Sequence, residues 1–128
     1  MKEEPSKISI RSKVWLQDED GMPVFGQGRI KILAAIEKHG SIKSAAEALG
    51  MSFRGAWSRI QATEKRLGQP LLTRRVGGRS GGGSELTPFA KELVRRFDLL
   101  CKKVEHEADK AYEKLYGNII CRKDDPPE

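Results

Sequence analysis

Residues Ser41–Pro88 read SIKSAAEALGMSFRGAWSRIQATEKRLGQPLLTRRVGGRSGGGSELTP, and this stretch decides the fold of the chain. Ser41 is suited to cap a short helix, and Gly50 supplies the left-handed residue that ends it. Ser52 can cap a second helix that ends at Gly68. Two helices joined by so short a turn cross steeply, which predicts a helix-turn-helix whose second helix is free to enter a DNA major groove.

Basic residues are concentrated in the same stretch. Between Ser52 and Ser84, seven lysines and arginines face the single acid Glu64, and the whole chain has a net charge of +6. The seven are Arg54, Arg59, Lys65, Arg66, Arg74, Arg75 and Arg79. Such a concentration of positive charge is typical of a phosphate-facing surface.

Composition places the chain among single-domain proteins without a membrane span. Its 128 residues are 38% hydrophobic and 33% charged, and no apolar run approaches the ~20 residues that a membrane span requires. The N-terminal MKEEPSK lacks the apolar core of a signal peptide, so we expect a cytoplasmic location. Cys101 and Cys121 are far apart and outside any CxxC pattern, so we expect no metal site, cofactor or disulfide framework.

Enzymatic function is not indicated. The glycine-rich stretch GGRSGGGS at residues 77–84 resembles a phosphate-binding loop in composition. It lacks the lysine of a nucleotide-binding P-loop and does not lead directly into a helix. No arrangement of Ser, His and Asp, or of Cys and His, suggests a nucleophilic site.

The N-terminal half predicts a hairpin followed by three helices. Residues 1–6 are polar and predict a frayed, disordered N-terminus. Alternating apolar residues from Lys7 to Leu16, a turn at Asp20-Gly21 and a short return strand predict a hairpin over 7–26. Broad apolar faces then predict helices at about 29–39, 41–49 and 52–67, with the first packing behind the other two.

The C-terminal half predicts a wing and one long helix. Apolar residues on either side of the glycine loop predict two antiparallel strands over 71–87, which completes a DNA-binding domain at 7–87. Thr87 and Pro88 are suited to begin a helix at 88–116, and 117–128 reads as a solvated tail. The fold class is therefore mainly α with small β: a winged helix-turn-helix with an N-terminal hairpin, a β wing and a long C-terminal dimerisation helix.

The long helix has an apolar stripe that its own domain is too small to cover. At 1.5 Å per residue it would be roughly 40 Å long, so its far half requires a partner, and a second copy is the simplest one. The alternative is a helix folded back on its own domain. The predicted dimer interface comprises Leu93, Phe97, Leu100, Val104, Ala108, Ala111 and Leu115.

The residues expected to contact DNA lie on the helix-turn-helix and the wing. Arg54 is the first choice for reading a guanine, because a guanidinium pairs bidentately with O6 and N7; the alternative is a phosphate contact. In the second helix, Ala56, Ile60, Thr63 and Leu67 fall at spacings of 4, 3 and 4 and predict its buried stripe. Trp57 lies beside this stripe and could pack or contact DNA, and Ser41 could serve only as a cap. Wing arginines are expected to bind the backbone or minor groove. The full set is Ser41, Lys43, Ser52, Phe53, Arg54, Trp57, Ser58, Arg59, Arg74, Arg75, Arg79 and Ser80.

Several of these motifs resemble the N-terminal DNA-binding domain of ModE-type molybdate-responsive regulators and, more distantly, LysR-type regulators. The motifs that carry the resemblance are Gly28-Arg29, Gly40-Ser41-Ile42, Ala45-Ala46, Gly50-Met51-Ser52, Ala56-Trp57, Gln69-Pro70-Leu71, the glycine stretch 77–83 and Leu86-Thr87-Pro88. The Ala-Trp pair and the glycine-rich wing are specific to the ModE side. The resemblance covers roughly residues 24–116.

The resemblance implies a bacterial transcription regulator that binds an inverted-repeat operator on double-stranded DNA as a homodimer. ModE regulators continue into oxyanion-binding domains, whereas this sequence stops at Glu128. Molybdate sensing is therefore not carried over, and a separate effector-sensing partner is possible. The alternative function is an architectural or protein-interaction winged helix without sequence preference.

Overall fold

The structure, a computed structural model, describes residues 4–75 and 82–120 of the chain. Helices and short strands follow the order hairpin, three helices, two-stranded wing, long helix. Their bounds are β1 Trp15–Gln17, β2 Pro23–Gly26, α1 Gln27–His39, α2 Ile42–Leu49, α3 Phe53–Leu67, β3 Leu72–Arg75, β4 Gly83–Leu86 and α4 Pro88–Tyr116. The predicted fold class, mainly α with two small antiparallel sheets, is confirmed.

The described chain divides into two compact units. The first, Trp15–Phe97, contains the hairpin, helices α1 to α3, the wing and the start of α4. The second combines residues 4–14 with residues 98–120 of the described chain. Long helix α4 therefore begins in one unit and ends in the other, whereas the sequence had placed a boundary at its first residue.

The N-terminal hairpin is shorter than predicted. Strand pairing begins at Trp15, opposite Gly26, and residues 4–14 form no strand apart from an isolated bridge residue at Ile8. The prediction of a strand from residue 7 is wrong because alternating apolar residues fit any extended segment. Residues 9–12 line a cavity together with Glu105 and Asp109 of α4, so this segment lies beside a helix within its unit.

The helix-turn-helix is bounded by side-chain caps and left-handed glycines. The Ser41 and Ser52 hydroxyls accept hydrogen bonds from the third residue after each, at 3.0 and 2.9 Å. Gly50 has φ +68°, a conformation that L side chains rarely adopt. Helix α1 begins two residues before its predicted start, with Gly26 as its N-cap.

One apolar core holds the first unit together. Helix α3 contributes Ala56 and Ile60, which belong to the stripe that the sequence predicted, and Thr63 lies in the same buried row. At the far side of the core, the rings of Phe25 and Phe97 meet edge to face with centroids 5.4 Å apart. The buried apolar residues are Val24, Phe25, Ile32, Leu33, Ile36, Ala45, Ala46, Ala56, Ile60, Leu71, Ala90 and Phe97.

Thr87 joins the wing to the start of α4. Its hydroxyl accepts a hydrogen bond from the Ala90 N–H and donates one to the Pro70 carbonyl, at 3.0 and 2.9 Å. Its backbone N–H donates to the Leu71 carbonyl at 2.9 Å. The predicted N-cap thus also fixes the loop between α3 and β3 to the base of α4.

Candidate nucleic-acid interface

Helix α3 exposes a polar strip on the side opposite its buried stripe. Arg54, Ser58, Gln61 and Lys65 are all exposed, and their spacing of three and four residues places them on one face. Helix α3 carries a single acid, Glu64, whose carboxylate accepts a hydrogen bond from the Leu71 N–H at 2.7 Å. The outward face of α3 is therefore positively charged, with its one acid engaged at the turn before β3.

The caps of α2 and α3 place predicted site residues at the N-termini of the two helices. Ser41 is half-buried and Ser52 is exposed, and each accepts a hydrogen bond within its own helix. Lys43 is exposed in the first turn of α2. A helix N-terminus and a lysine together favour a phosphate, so the cap role and an anion contact are compatible.

An arginine cluster on one flank of α3 was missed by sequence reasoning. The Arg29 Nε is buried and has no hydrogen-bond partner among the described residues. Burial first, and then the positive charges of Arg59 and Arg66, lower the pKa of the Arg29 guanidinium. Arg66 has the Asp18 carboxylate as its counterion, so the positive potential that an anion would relieve is that of Arg29 and Arg59.

Arg59 and Arg66 are each oriented by a specific contact. The Arg59 guanidinium donates to the Gly55 carbonyl at 3.2 Å, and a Cβ at Gly55 would lie 3.2 Å from Arg59 Nη1. The Arg66 guanidinium donates to the Asp18 carboxylate at 2.8 Å. This hydrogen bond, followed by one from the Met22 N–H, lowers the pKa of Asp18.

Thr63 fixes the position of α3 against the hairpin. Its hydroxyl lies 2.6 Å from the Val24 carbonyl and 3.1 Å from the Arg59 carbonyl, and its side chain is fully buried. The sequence does indicate such a contact, because a threonine within an apolar helix stripe has a buried hydroxyl that requires a hydrogen-bond partner. The sequence could not identify that partner, which lies 39 residues earlier in the chain.

The wing is tied to the turn between α1 and α2. The Ser84 N–H donates to the Gly40 carbonyl at 2.8 Å, and the Arg75 guanidinium lies 3.4 Å from the same oxygen. Arg75 was predicted to contact DNA; its side chain is exposed but is used at this junction. Arg74 is exposed on β3 opposite Ser84. The remaining wing predictions, Arg79 and Ser80, lie outside the described residues.

The predicted dimer residues on α4 fall into two groups. The prediction that Phe97 lies at the dimer interface is corrected, because its side chain is 3% exposed and packs on Phe25 in the core of its own unit. Leu93 is half-buried in the same unit. The remaining predicted residues lie in the second unit, where Leu100, Ala111 and Leu115 are exposed and Val104 and Ala108 are half-buried.

Other kinds of site find no support in the part of the chain that is described. Residues 4–75 and 82–120 contain no group of three or more side chains able to hold a metal ion. Among the described helices, none is long and apolar enough to cross a bilayer.

A capped helix pair with a basic, exposed second helix, followed by an antiparallel wing, defines a winged helix-turn-helix. Residues 28–91 match the family of bacterial regulatory helix-turn-helix proteins of the LysR type. That match spans half of the chain, and the chain belongs to this family.

Curated proteins similar to this chain include a transcriptional regulator and a protein named for molybdenum transport. The transcriptional regulator ModE of Haemophilus influenzae is 40% identical over 78 residues, which cover 61% of this chain and 31% of that protein. The molybdenum transport protein ModE of Azotobacter vinelandii is 34% identical over 98 residues, which cover 77% of this chain and 36% of that protein. The chain thus spans about a third of the length of these curated relatives.

A solved structure supports the fold. The crystal structure of the CbnR DNA-binding domain in complex with DNA matches with a TM-score of 0.50 and 24% identity. The match covers 68% of this chain and 94% of that one. At this identity the likeness concerns the fold alone, which is the winged helix-turn-helix described above.

Proposed function

We propose that this chain is the DNA-binding part of a transcriptional regulator that recognises an inverted-repeat operator as a homodimer. The observation that carries the proposal is the exposed, basic strip on α3, whose N-terminal turn is capped by Ser52. A helix of this kind enters the major groove with its first turns nearest the bases. The fold neighbour that was solved with DNA supports the same use of this architecture.

Base reading and backbone binding are assigned to different residues. Arg54, exposed in the first turn of α3, would pair with guanine O6 and N7. Arg74 on the wing and Arg59 beside Arg29 would bind phosphates, which gives affinity without sequence information. We expect Arg54→Ala to relax base preference at one operator position, and Arg74→Ala to weaken binding to all sequences about equally. An unchanged preference in Arg54→Ala would contradict this placement of α3.

Dimerisation is assigned to the distal half of α4. Leu100 is 40% exposed and Leu115 is 67% exposed, although both lie on the apolar stripe of the helix. A run of exposed apolar side chains along a helix marks a contact surface, and a second copy supplies a matching stripe. Two copies would present two recognition helices to two half-sites.

The regulated pathway is a separate hypothesis. The similar protein of Azotobacter vinelandii is named for molybdenum transport, and we propose that the operator lies near genes of molybdenum metabolism. Transcript profiling of a deletion strain, with and without added molybdate, would test this link. Changes confined to unrelated genes would remove the pathway assignment and leave the DNA-binding proposal untouched.

The decisive experiment is a binding-site selection with the purified chain on random duplex DNA. We expect one enriched inverted repeat, half-sites about one helical turn apart and a complex that contains two chains. The affinity for the selected sequence should exceed the affinity for random DNA by about a thousandfold or more. Both affinities should fall as the salt concentration rises. Salt-sensitive binding without an enriched motif would favour the architectural alternative.

A further inference from the structure

Two aromatic side chains stand on the surface of α3 beside Arg54. Phe53 is 52% exposed and Trp57 is 45% exposed. Because they are four residues apart, they lie on one flank of the helix and are neighbours. The core of the same unit buries Phe25 and Phe97 almost completely, so these two rings are outside the core. Exposed aromatic area of this kind marks a contact surface.

The aromatic flank is distinct from the arginine flank. Trp57 precedes Glu64 by seven residues, or two turns, so both lie on the same side of α3. Glu64 contacts the N–H of Leu71 at the turn before β3, which places this flank toward the wing. Arg59 and Arg66 occupy the opposite flank, near Arg29 and the hairpin.

The charges around the rings select the kind of partner. Arg54 and Ser58 are exposed beside this flank and can donate hydrogen bonds. The one acid of α3, Glu64, lies two turns further along the same flank, where its carboxylate accepts a hydrogen bond from the Leu71 N–H. A cationic and hydrogen-bonding surround is complementary to DNA. The major groove offers one apolar group that such rings could bury, the C5 methyl group of thymine.

We propose that Phe53 and Trp57 read thymine methyl groups, so that the operator half-site combines thymines with the guanine contacted by Arg54. This proposal rests on the proposed function and deepens it. It assigns sequence reading to an apolar pair as well as to a guanidinium. The rings give specificity because cytosine and the purines present no methyl group at that position.

The test changes the DNA, so that the first result requires no protein variant. Each thymine of the selected operator is replaced singly by uracil, which removes only the C5 methyl group, and dissociation constants are measured by fluorescence anisotropy. At each contacted position we expect the dissociation constant to rise about fourfold, because this is the change that corresponds to losing the burial of one apolar carbon. The other thymines should show no change.

Protein variants then connect each methyl group to its ring. Phe53→Ala and Trp57→Ala should each abolish the uracil effect at one position, and thermal unfolding would verify that the exposed substitutions leave the fold intact. The matched control Arg54→Ala should lose guanine preference and keep the uracil effect.

The failures of the two proposals are distinguishable. Specific binding to an operator with no uracil effect at any thymine would overturn the methyl-reading proposal alone. Equal weakening of all sequences by Phe53→Ala and Trp57→Ala would make the rings a backbone contact and would also overturn it. Absence of any specific binding would overturn the proposed function and this proposal together.

Discussion

The two halves of α4 carry the same apolar spacing and use it differently. Before Asp98, Ala90 and Phe97 are buried in the core of the first unit. After it, Leu100 and Leu115 have the same three- and four-residue spacing but remain exposed. Periodicity therefore identifies which face of a helix is apolar, whereas the position of the core decides whether that face is covered by its own chain.

The largest effect is expected from Phe97→Ala. Its ring packs on Phe25 in the core, and removing a buried phenylalanine typically costs about 3–5 kcal/mol in free energy of unfolding. Denaturant unfolding would measure the loss. The matched control Leu115→Ala should change the free energy of unfolding of the monomer by less than about 0.5 kcal/mol. Equal losses in both variants would contradict the division of α4.

Gly83→Ala tests whether the wing belongs to the rigid unit. A Cβ at Gly83 would collide with the Gly40 carbonyl oxygen, so the strand must shift. We expect a loss of about 1–3 kcal/mol, as for other overpacked sites, and weaker DNA binding. The control Gly28→Ala has open space around its Cβ and should be stabilising by about 0.4–1 kcal/mol. An unchanged melting temperature in Gly83→Ala would show that the wing moves freely against the turn.

Leu100→Asp tests the proposed use of the distal half. A charge on an apolar contact surface should raise the dimer dissociation constant by about tenfold or more, equivalent to about 1.4 kcal/mol. Unfolding of the first unit should be unaffected, because Leu100 lies outside its core. Sedimentation equilibrium would measure the change, with Lys103→Asp as the control on an exposed position. If Lys103→Asp alone dissociated the dimer, the interface would lie on the opposite face of α4.

The sequence was most informative where structure is local. Caps and left-handed glycines act within four residues, so Ser41, Ser52 and Gly50 were sufficient to locate α2 and α3. The 4, 3, 4 spacing in α3 likewise predicted its buried stripe. The segment before Trp15 was misassigned because alternation does not distinguish a strand from an extended segment lying beside a helix.

The candidate site was only partly predictable. Its exposed residues follow from the helical period, since a known buried stripe determines the opposite face. The contacts that orient those residues join distant parts of the chain, as in Asp18 with Arg66 and Val24 with Thr63. Periodicity also could not predict whether Trp57 packs or faces outward, because it lies at the edge of the stripe.

The smallest effect is expected from the ion pairs along α4. Hydrogen bonds from Arg95 and Arg96 lower the pKa of Glu92 from its ordinary value of 4.5 to about 2. Because the folded-state pKa is the lower one, the ionised carboxylate stabilises the fold fully above about pH 4.5, and this contribution is lost as the pH falls toward 2. Glu92→Gln should therefore lower the melting temperature slightly at pH 7 and not at pH 2.

The Glu92 side chain is 43% exposed, so solvent screens its interaction with the two arginines. The change in melting temperature is therefore expected to be small. The matched pair in the distal half is Asp98 with Lys102, whose atoms lie 2.9 Å apart. Asp98→Asn should also have a small effect at pH 7, because both pairs are exposed whichever unit they belong to. A large effect of Glu92→Gln alone would mean that the proximal half depends on its surface charges as well as on Phe97.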